Sequence, residues 1–246
     1  MVVQPLDTKI EPLACLRGSE LFEGLDSAWS ERLAQKSVLQ DLTSGELVWH
    51  AGATAKHFFL VEAGLVAIRQ LTLEGNSFIV TLFGPGDSLC IAPALQGIEY
   101  PGDAVVISET ANLLLVPAAP VVAAMASDAV LNRALNRVII EHSKILRHKI
   151  DIVSAGPVPR RLATLMLNLV ERFGVSDNDD RAFVPIALTR ESVGQLINAR
   201  TETVIRTLSK WQKAGWFTTS PDGFHIDRLE ILHRIIHGRP QRSGSQ

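Results

Sequence analysis

The chain has 246 residues, which is enough for two ordinary domains with hydrophobic cores. Its net charge is −2, and its two cysteines exclude a disulfide-stabilised scaffold and indicate a reducing, cytoplasmic compartment. The charge is uneven, because residues 157–246 carry 13 basic and 9 acidic side chains while residues 1–156 carry 11 and 17. The C-terminal part is therefore the better candidate for binding a polyanion.

Neither the N-terminus nor the uncharged segment 110–127 predicts membrane association. The N-terminus lacks the basic start of a secretory signal peptide. The uncharged segment 110–127 is barely long enough to span a bilayer and contains Asn112, Pro117 and Pro120. We expect a β-strand followed by a short helix there.

Residues 46–116 alternate short apolar runs with glycine, proline, asparagine and aspartate. This pattern is typical of short strands joined by tight turns, and the close spacing favours an antiparallel roll or barrel over a βαβ sheet. A small barrel of this kind can enclose one ligand. The predicted strands are residues 47–49, 58–61, 66–68, 78–83, 104–107 and 113–116.

A long helix is predicted over residues 127–153, because residues at alternating spacings of four and three form one face. Such a heptad pattern is typical of a coiled coil between two subunits, and a helix packed only on its own domain is the alternative. The polar His142 and Lys149 interrupt the seam and could fix its register or report effector binding. The predicted seam consists of Leu131, Leu135, Val138, His142, Ile145 and Ile152, with Lys149 in the same register.

Two short helices joined by a tight turn are predicted after a hinge at residues 154–159 and a further helix at 160–173. The Thr189 hydroxyl can cap the first of the two, and Gly194 is small where they would cross closely. The break falls at Asn198. This arrangement is typical of a DNA-binding helix-turn-helix, and a plain helical hairpin is the alternative. The inward-facing residues are Val193, Leu196, Ile197, Val204, Leu208 and Trp211.

Four segments carry a family resemblance. Residues 189–197 (TRESVGQLI) and 201–206 (TETVIR) resemble the helix-turn-helix of the CRP/FNR family of bacterial transcription regulators. The hairpin 216–226, with its turn at Pro221-Asp222-Gly223, resembles the wing of that family, and the FGPGD run at 83–87 resembles its sensory β-roll. The resemblance covers roughly residues 20–236.

The resemblance implies an α+β fold with an N-terminal antiparallel β-roll (cyclic-nucleotide-binding-like), a long dimerisation helix and a C-terminal winged helix-turn-helix. The expected domains are 1–126 for the sensory β-roll with its N-terminal helical segment and 127–156 for the dimerisation helix and hinge. The DNA-binding domain is expected at 157–238 and a flexible tail at 239–246. The implied function is transcription regulation by a homodimer that binds an inverted repeat in double-stranded DNA and contacts RNA polymerase.

Carried over by position, Glu202 and Arg206 are the expected base readers, with Thr201 as a third. A carboxylate accepts a hydrogen bond from cytosine N4, and a guanidinium donates two to guanine O6 and N7. Ile205 would contact a thymine methyl group or pack internally. Phosphate contacts are expected from Arg190, Arg200 and Thr203.

The resemblance leaves the signal open, because the family senses cyclic nucleotides, haem, iron–sulfur clusters, organic acids or redox state. Cyclic-AMP members have a Gly-Glu pair and an Arg-Ser/Thr-Ala run, but here residues 90–91 are Cys-Ile and residues 101–104 are Pro-Gly-Asp-Ala. We therefore expect no tight cyclic-AMP binding. Two cysteines cannot supply the four ligands of a [4Fe–4S] cluster within one subunit.

Haem stays possible. Cys90 falls where carbon-monoxide-sensing haem members of the family place a cysteine ligand, but Ala92 stands where those members have a histidine. His57 and His50 are possible alternative ligands. Cys90 could equally be a buried structural residue or form a redox pair with Cys15.

No nucleophile elbow, P-loop or dinucleotide fingerprint is present, so we expect no enzyme. His233 and His237 lie four residues apart, but solvated histidines are the preferred interpretation, and no metal is predicted. The alternative class is a non-DNA ligand-binding or barrel enzyme module with an accessory helical domain. A sequence-selective gel shift would discriminate between the two.

Overall fold

The computed structural model describes residues 11–72, 74–75, 77–178 and 180–237, so the expected tail at 239–246 lies outside the described residues. Contacts divide the chain into two units. Of the described residues, the first unit contains those up to Val66 together with Phe83–His142, and the second contains Ala67–Leu82 and those from Ser143 onward. The domain boundaries expected from the sequence remain a prediction.

An antiparallel sheet forms the centre of the first unit. Its strands are β1 (Val38–Thr43), β3 (His57–Ala63), β6 (Ser88–Leu89) and β8 (Thr110–Pro117), in the order β1-β8-β3-β6. Two further strands, β2 (Leu47–Trp49) and β7 (Asp103–Val106), pair antiparallel with each other. The consecutive residues Leu113 and Leu114 of β8 are both fully buried, which shows that this strand is covered on both faces.

Short helices cover the sheet of the first unit. They are α1 (Pro12–Gly18), α2 (Ser27–Ala34), α3 (Ile91–Gln96) and α4 (Ala118–Met125), with a 3-10 helix at Glu20–Phe22. The Asp26 carboxylate caps α2 by accepting a 2.8 Å hydrogen bond from the Trp29 backbone N–H. Phe22 stacks on Phe58 of β3, with 6.2 Å between ring centroids, so aromatic packing holds this helical segment on the sheet.

The second unit is mainly helical. It contains the strands β4 (Val66–Leu71) and β5 (Ser77–Phe83) except for Val66 and Phe83, and the second half of α5 (Ala129–Ser154). The remaining elements are α6 (Val158–Phe173), β9 (Val175–Asn178), β10 (Arg181–Val184), α7 (Arg190–Ile197), α8 (Thr201–Lys213), β11 (Phe217–Ser220), β12 (Gly223–Ile226) and α9 (Leu229–His237). Strands β11-β12-β10-β9 form an antiparallel sheet in that order.

The predicted hairpin at 216–226 is confirmed as β11 and β12, with Ser220 opposite Gly223 across the turn. A Cβ atom on Gly223 would lie 2.1 Å from the Val184 carbonyl oxygen, and its φ is +153°. Only glycine therefore allows β10 to approach this turn so closely.

All six strands expected in the sensory half are present, as are the long helix and the following break. The strand-then-helix reading of 110–127 is confirmed by β8 and α4. The sequence analysis missed the strands β1, β6, β9 and β10 and the helix α3. Strand β1 has a single buried residue, Leu42, so its six pairings with β8 define it rather than its own hydrophobic pattern. In the part of the chain that the structure describes, no helix has the length and apolar character needed to cross a membrane.

Candidate nucleic-acid interface

Helix α7 begins and ends as the sequence predicts. Thr189 is the N-cap, and its Oγ1 accepts a 3.0 Å hydrogen bond from the Ser192 backbone N–H. Asn198 ends the helix with a left-handed φ of +51°, a conformation that asparagine tolerates. A Cβ on Gly194 would lie 2.8 Å from the Ala199 carbonyl oxygen, so a glycine is needed where the turn passes over α7.

Two cations satisfy the free carbonyls at the C-terminus of α7. Lys149 Nζ donates to the Leu196 oxygen at 2.6 Å, and Arg161 Nη1 donates to the oxygens of Ile197 and Asn198 at 2.7 and 2.9 Å. The last carbonyls of a helix have no partner within the helix and carry partial negative charge, which positive side chains stabilise. Helices α5 and α6 therefore fix the position of the turn that precedes α8.

Helix α8 has one buried and one exposed face. Val204, Leu208 and Trp211 are at most 4% exposed, as predicted. On the opposite face Glu202 and Arg206 are exposed, and Ile205 is 47% exposed. The exposed side of α8 thus combines a carboxylate, a guanidinium and an apolar side chain within five residues. Ile205 is therefore only partly packed against its own chain, and its contact with DNA remains a prediction.

The other expected DNA contacts differ in exposure. Arg200 is exposed at the N-cap of α8 and makes no side-chain capping bond there. Thr201 and Thr203 are half-buried. Arg190 is half-buried too, with its guanidinium 5.8 Å from the ring centroid of Phe217, and burial lowers its pKa from the ordinary value. Arg200 is therefore the most accessible of the three expected phosphate contacts.

Two of the three expected sensor residues lie near one aromatic side chain. The Tyr100 hydroxyl donates a 2.8 Å hydrogen bond to the His57 carbonyl oxygen. The pKa of Tyr100 is raised by burial and, to a smaller extent, by Cys90. Tyr100 also stacks on Trp49, with 4.6 Å between centroids. Cys90 precedes α3 with a left-handed φ of +55°, which is uncommon for a residue other than glycine.

Both cysteines are free thiols, and burial raises the pKa of each to about 12. For Cys15 the nearby Glu62 carboxylate contributes to this rise in pKa after burial, which is the larger cause. Reactive cysteines have lowered pKa values, because the thiolate is the nucleophile and the metal ligand. Neither thiol has that property. Among the described residues, no group of three or more His, Cys, Asp or Glu side chains could hold a metal ion.

Three positions of the expected dimer seam are already buried within the single chain, and the seam itself remains a prediction. Leu131, Leu135 and Ile152 are 0, 2 and 5% exposed within the single chain, so they belong to the protomer's own core. Val138, His142 and Ile145 are half-buried, and the His142 ring contacts Phe83 with 5.6 Å between centroids. An amphipathic helix repeats this pattern whether it faces a partner or its own core.

A second apolar stripe on α5 is exposed. Ile139, Leu146, Ile150 and Val153 are 36, 51, 63 and 38% exposed, at spacings of seven, four and three. With Ser143 between the first two, the intervals become four, three, four and three, which is a heptad seam. It is displaced by one residue, or about 100° around the helix, from the expected seam.

Lys149, expected beside the seam, contacts its own chain. Besides the Leu196 bond, its Nζ donates to the Ile79 carbonyl oxygen at 2.6 Å, and burial lowers its pKa from 10.5 to about 8. Between pH 8 and 10.5 the unfolded chain binds this proton more strongly than the folded chain does. Because stability rises with pH where the unfolded state binds more protons, wild-type stability should rise through this interval.

We therefore expect the free energy of unfolding of the wild type to increase relative to that of Lys149→Met as the pH rises above about 8. Urea unfolding of both proteins on the two sides of this pH measures the difference. The exposed Lys210→Met is the matched control and should show no such trend relative to the wild type. A pH-independent difference for Lys149→Met would contradict the assignment.

Comparison with known proteins agrees with this architecture. The Crp-like helix-turn-helix domain matches residues 160–235, and the cyclic nucleotide-binding domain matches residues 39–128. The chain is 23% identical over 214 residues to the CRP-like cAMP-activated global transcriptional regulator of Mycobacterium tuberculosis, covering 87% of this chain and 95% of the relative. It is 24% identical over 194 residues to the fumarate and nitrate reduction regulatory protein of Escherichia coli, covering 79% and 76%.

Among solved structures, FixK2 from Bradyrhizobium japonicum superimposes with a TM-score of 0.71 at 19% identity, covering 83% of this chain and 99% of FixK2. The matched domains occur in the same order as the sheet unit and the helix-turn-helix described above. The chain therefore belongs to the CRP/FNR family and is a DNA-binding transcription regulator.

Proposed function

We propose that the chain regulates transcription as a cytoplasmic homodimer that binds an inverted repeat in double-stranded DNA and contacts RNA polymerase. The observation that carries the proposal is the exposed face of α8, where Glu202, Ile205 and Arg206 project from a helix whose other face is buried. Such a helix fits the major groove, and two copies related by a two-fold axis read two half-sites. We propose no catalytic activity for the chain.

The three side chains suit three kinds of base edge. Glu202 can accept from cytosine N4, Arg206 can donate to guanine O6 and N7, and the exposed Ile205 can contact a thymine methyl group. Glu202 and Arg206 are four residues apart and thus neighbours on the helix surface. Thr201 is the first residue of α8. It lies next to these two side chains and is the third base-reading residue that we propose. Arg190, Arg200 and Thr203 are assigned to phosphates.

Dimerisation is assigned to the exposed stripe of α5 (Ile139, Ser143, Leu146, Ile150 and Val153). Large apolar side chains repeated along one helix at heptad spacing favour burial against a second helix. The residues Val138, His142 and Ile145 of the seam expected from the sequence are half-buried, and each precedes a residue of this stripe by one position. A symmetric pair brings the same residues of both chains together.

Selection from a pool of random-sequence duplexes tests the DNA proposal. We expect the full-length protein to enrich an inverted repeat whose half-sites lie about one helical turn, or 34–36 Å, apart. Enrichment of no sequence, or of a single unrepeated site, would overturn the homodimer reading.

Cyclic AMP is not expected to be the effector. Ile91, which stands in place of the family's ribose-binding glutamate, is fully buried. Asp103 stands near the place of the phosphate-binding arginine, and its Oδ1 accepts a 2.8 Å bond from the Ala51 backbone N–H. Calorimetric titration with cyclic AMP should show no binding, and the cAMP-activated relative provides the positive control. A micromolar dissociation constant would contradict this prediction.

The residues fit haem of the family's cysteine-ligated kind poorly. Burial raises the pKa of the Cys90 thiol to about 12 in the metal-free chain, so haem ligation by this residue would have to displace its proton. Ala92, where the related histidine would stand, has no ligand atom. The proposed effector is therefore another small ligand of the first unit. The high pKa values of Cys15 and Cys90 disfavour thiol redox chemistry as the signal.

A further inference from the structure

The side chain of Lys149 joins a strand to the helix-turn-helix within the second unit. Its Nζ donates to the Ile79 carbonyl oxygen of β5 at 2.6 Å and to the Leu196 carbonyl oxygen of α7 at the same distance. The same ammonium lies 5.8 Å from the ring centroid of Phe78, the residue that precedes Ile79 in β5. One cation on α5 therefore holds two elements that are far apart in the sequence.

Both acceptors of this ammonium belong to buried residues. Ile79 is 0% exposed and Leu196 is 3% exposed. A hydrogen bond from a charged donor is stronger than one between neutral groups, and a buried donor or acceptor that loses its partner is costly. In the part of the chain that the structure describes, no acidic side chain bonds to Lys149. The two carbonyls rather than a carboxylate therefore fix its position.

The Leu196 carbonyl lies at a point that controls the direction of α8. It belongs to the last turn of α7, and the chain then turns at Asn198 and enters α8. Arg161 of α6 donates to the next two carbonyls of the same turn. Both cations stabilise the negative end of α7, but Lys149 also connects that end to β5.

We propose that Lys149 is a positioning residue for DNA recognition, because it couples β5 to the last turn of α7 and so sets the position from which α8 reads DNA. The inference rests on the proposed DNA-binding function of α8. Since one ammonium serves both carbonyls, a displacement of β5 moves the ammonium relative to α7 and weakens its bond to Leu196. Fewer molecules then hold α8 in the binding-competent position, and the apparent operator affinity falls by that fraction.

Hydrogen–deuterium exchange of the full-length protein tests the coupling without DNA. Lys149→Met keeps the apolar stem of the side chain but removes the donor. It should speed exchange about tenfold in two separate segments, residues 77–82 of β5 and residues 194–200 of the helix-turn-helix. Arg161→Met removes the other cation of this turn, whose described hydrogen bonds do not reach β5, and should speed exchange in 194–200 alone.

Two internal controls accompany this comparison. The exposed Arg137→Met removes a charge from another face of α5 and should change neither segment. The wing, residues 216–226, should exchange at the wild-type rate in Lys149→Met, because the coupling is local. If Lys149→Met speeds exchange in only one of the two segments, or in neither, the coupling is refuted.

Operator binding gives the converse test, and the wild type alone suffices for it. Coupling between two sites is reciprocal, so the selected inverted repeat bound at α8 should slow exchange in residues 77–82, although β5 adds no residue to the exposed face of α8. Lys149→Met should lose this remote protection and bind the repeat about tenfold more weakly. The slope of log K against log salt should stay unchanged, because the Lys149 ammonium bonds to carbonyls and not to a phosphate.

The two proposals fail in different ways. A wild-type protein that binds the inverted repeat without slower exchange in residues 77–82 would overturn the role of Lys149. A wild-type protein that binds no inverted repeat would contradict the DNA-binding function instead, and the exchange comparison without DNA would still decide the coupling.

Discussion

A double variant with Leu146→Glu and Ile150→Glu is expected to be monomeric and to lose operator binding. These side chains are the most exposed of the α5 stripe, at 51 and 63%, and lie on adjacent turns of one face. Burial of a leucine or isoleucine contributes roughly 1.5–3 kcal/mol, and two-fold symmetry counts each residue twice. Four glutamates would also repel one another across the seam. Light scattering after gel filtration measures the mass, and a gel shift measures DNA binding.

Two control variants distinguish this seam from the seam expected from the sequence. Arg137→Glu with Lys144→Glu changes the charge more strongly, but on another side of the helix, and should remain dimeric. Leu131→Ala should lower the free energy of unfolding by about 2–5 kcal/mol because it opens a cavity in the protomer core, while the folded protein stays a dimer. A dimeric Leu146→Glu, Ile150→Glu protein would refute the revised register.

Arg206→Ala is expected to cost roughly 1–3 kcal/mol of binding free energy and to relax selectivity at one guanine per half-site. The reason is the loss of a bidentate hydrogen bond to a base edge. Arg206 is exposed, so its removal should leave the stability of the folded chain almost unchanged. Competition binding against operators with each base pair altered in turn measures the selectivity.

Arg200→Ala gives the matched contrast, because it removes an equally exposed arginine that is assigned to a phosphate. It should weaken binding to all sequences alike and reduce the slope of log K against log salt by about one per chain. If Arg206→Ala instead lowers affinity uniformly, with selectivity intact, Arg206 is not a base reader.

Local patterns predicted the helix-turn-helix well. The N-cap at Thr189, the break at Asn198 and the close approach at Gly194 each follow from the chemistry of a single residue and its neighbours. The buried face of α8 follows from helical spacing alone. Recognition of this region therefore needed no knowledge of distant contacts.

Helix α5 shows where sequence patterns leave a choice open. Helix α5 carries two apolar stripes one residue apart, and periodicity cannot tell which of them faces the protomer core. The inner stripe is continuous in hydrophobic residues until His142 and Lys149, whereas the outer one contains Ser143. Burial in the folded chain decides between them, because Leu131 and Leu135 are buried and Leu146 and Ile150 are exposed.

Long-range polar contacts could not be predicted either. Lys149 donates to carbonyls 70 and 47 residues away in the sequence, and Arg161 donates to the end of α7. Backbone acceptors carry no sequence signal, so no motif identifies such partners. The proximity of Cys90 and Tyr100 likewise depends on how the turn before α3 and the segment before β7 meet.

The most direct test of the central claim is a fluorescence anisotropy titration of the selected inverted repeat, with a duplex of equal length and scrambled half-sites as the comparison. A sequence-reading dimer should bind the repeat about 10³-fold or more tightly than the scrambled duplex, and log K should fall linearly with log salt for both. Equal affinity for the two duplexes would contradict the account, because α8 would then contact only the phosphate backbone.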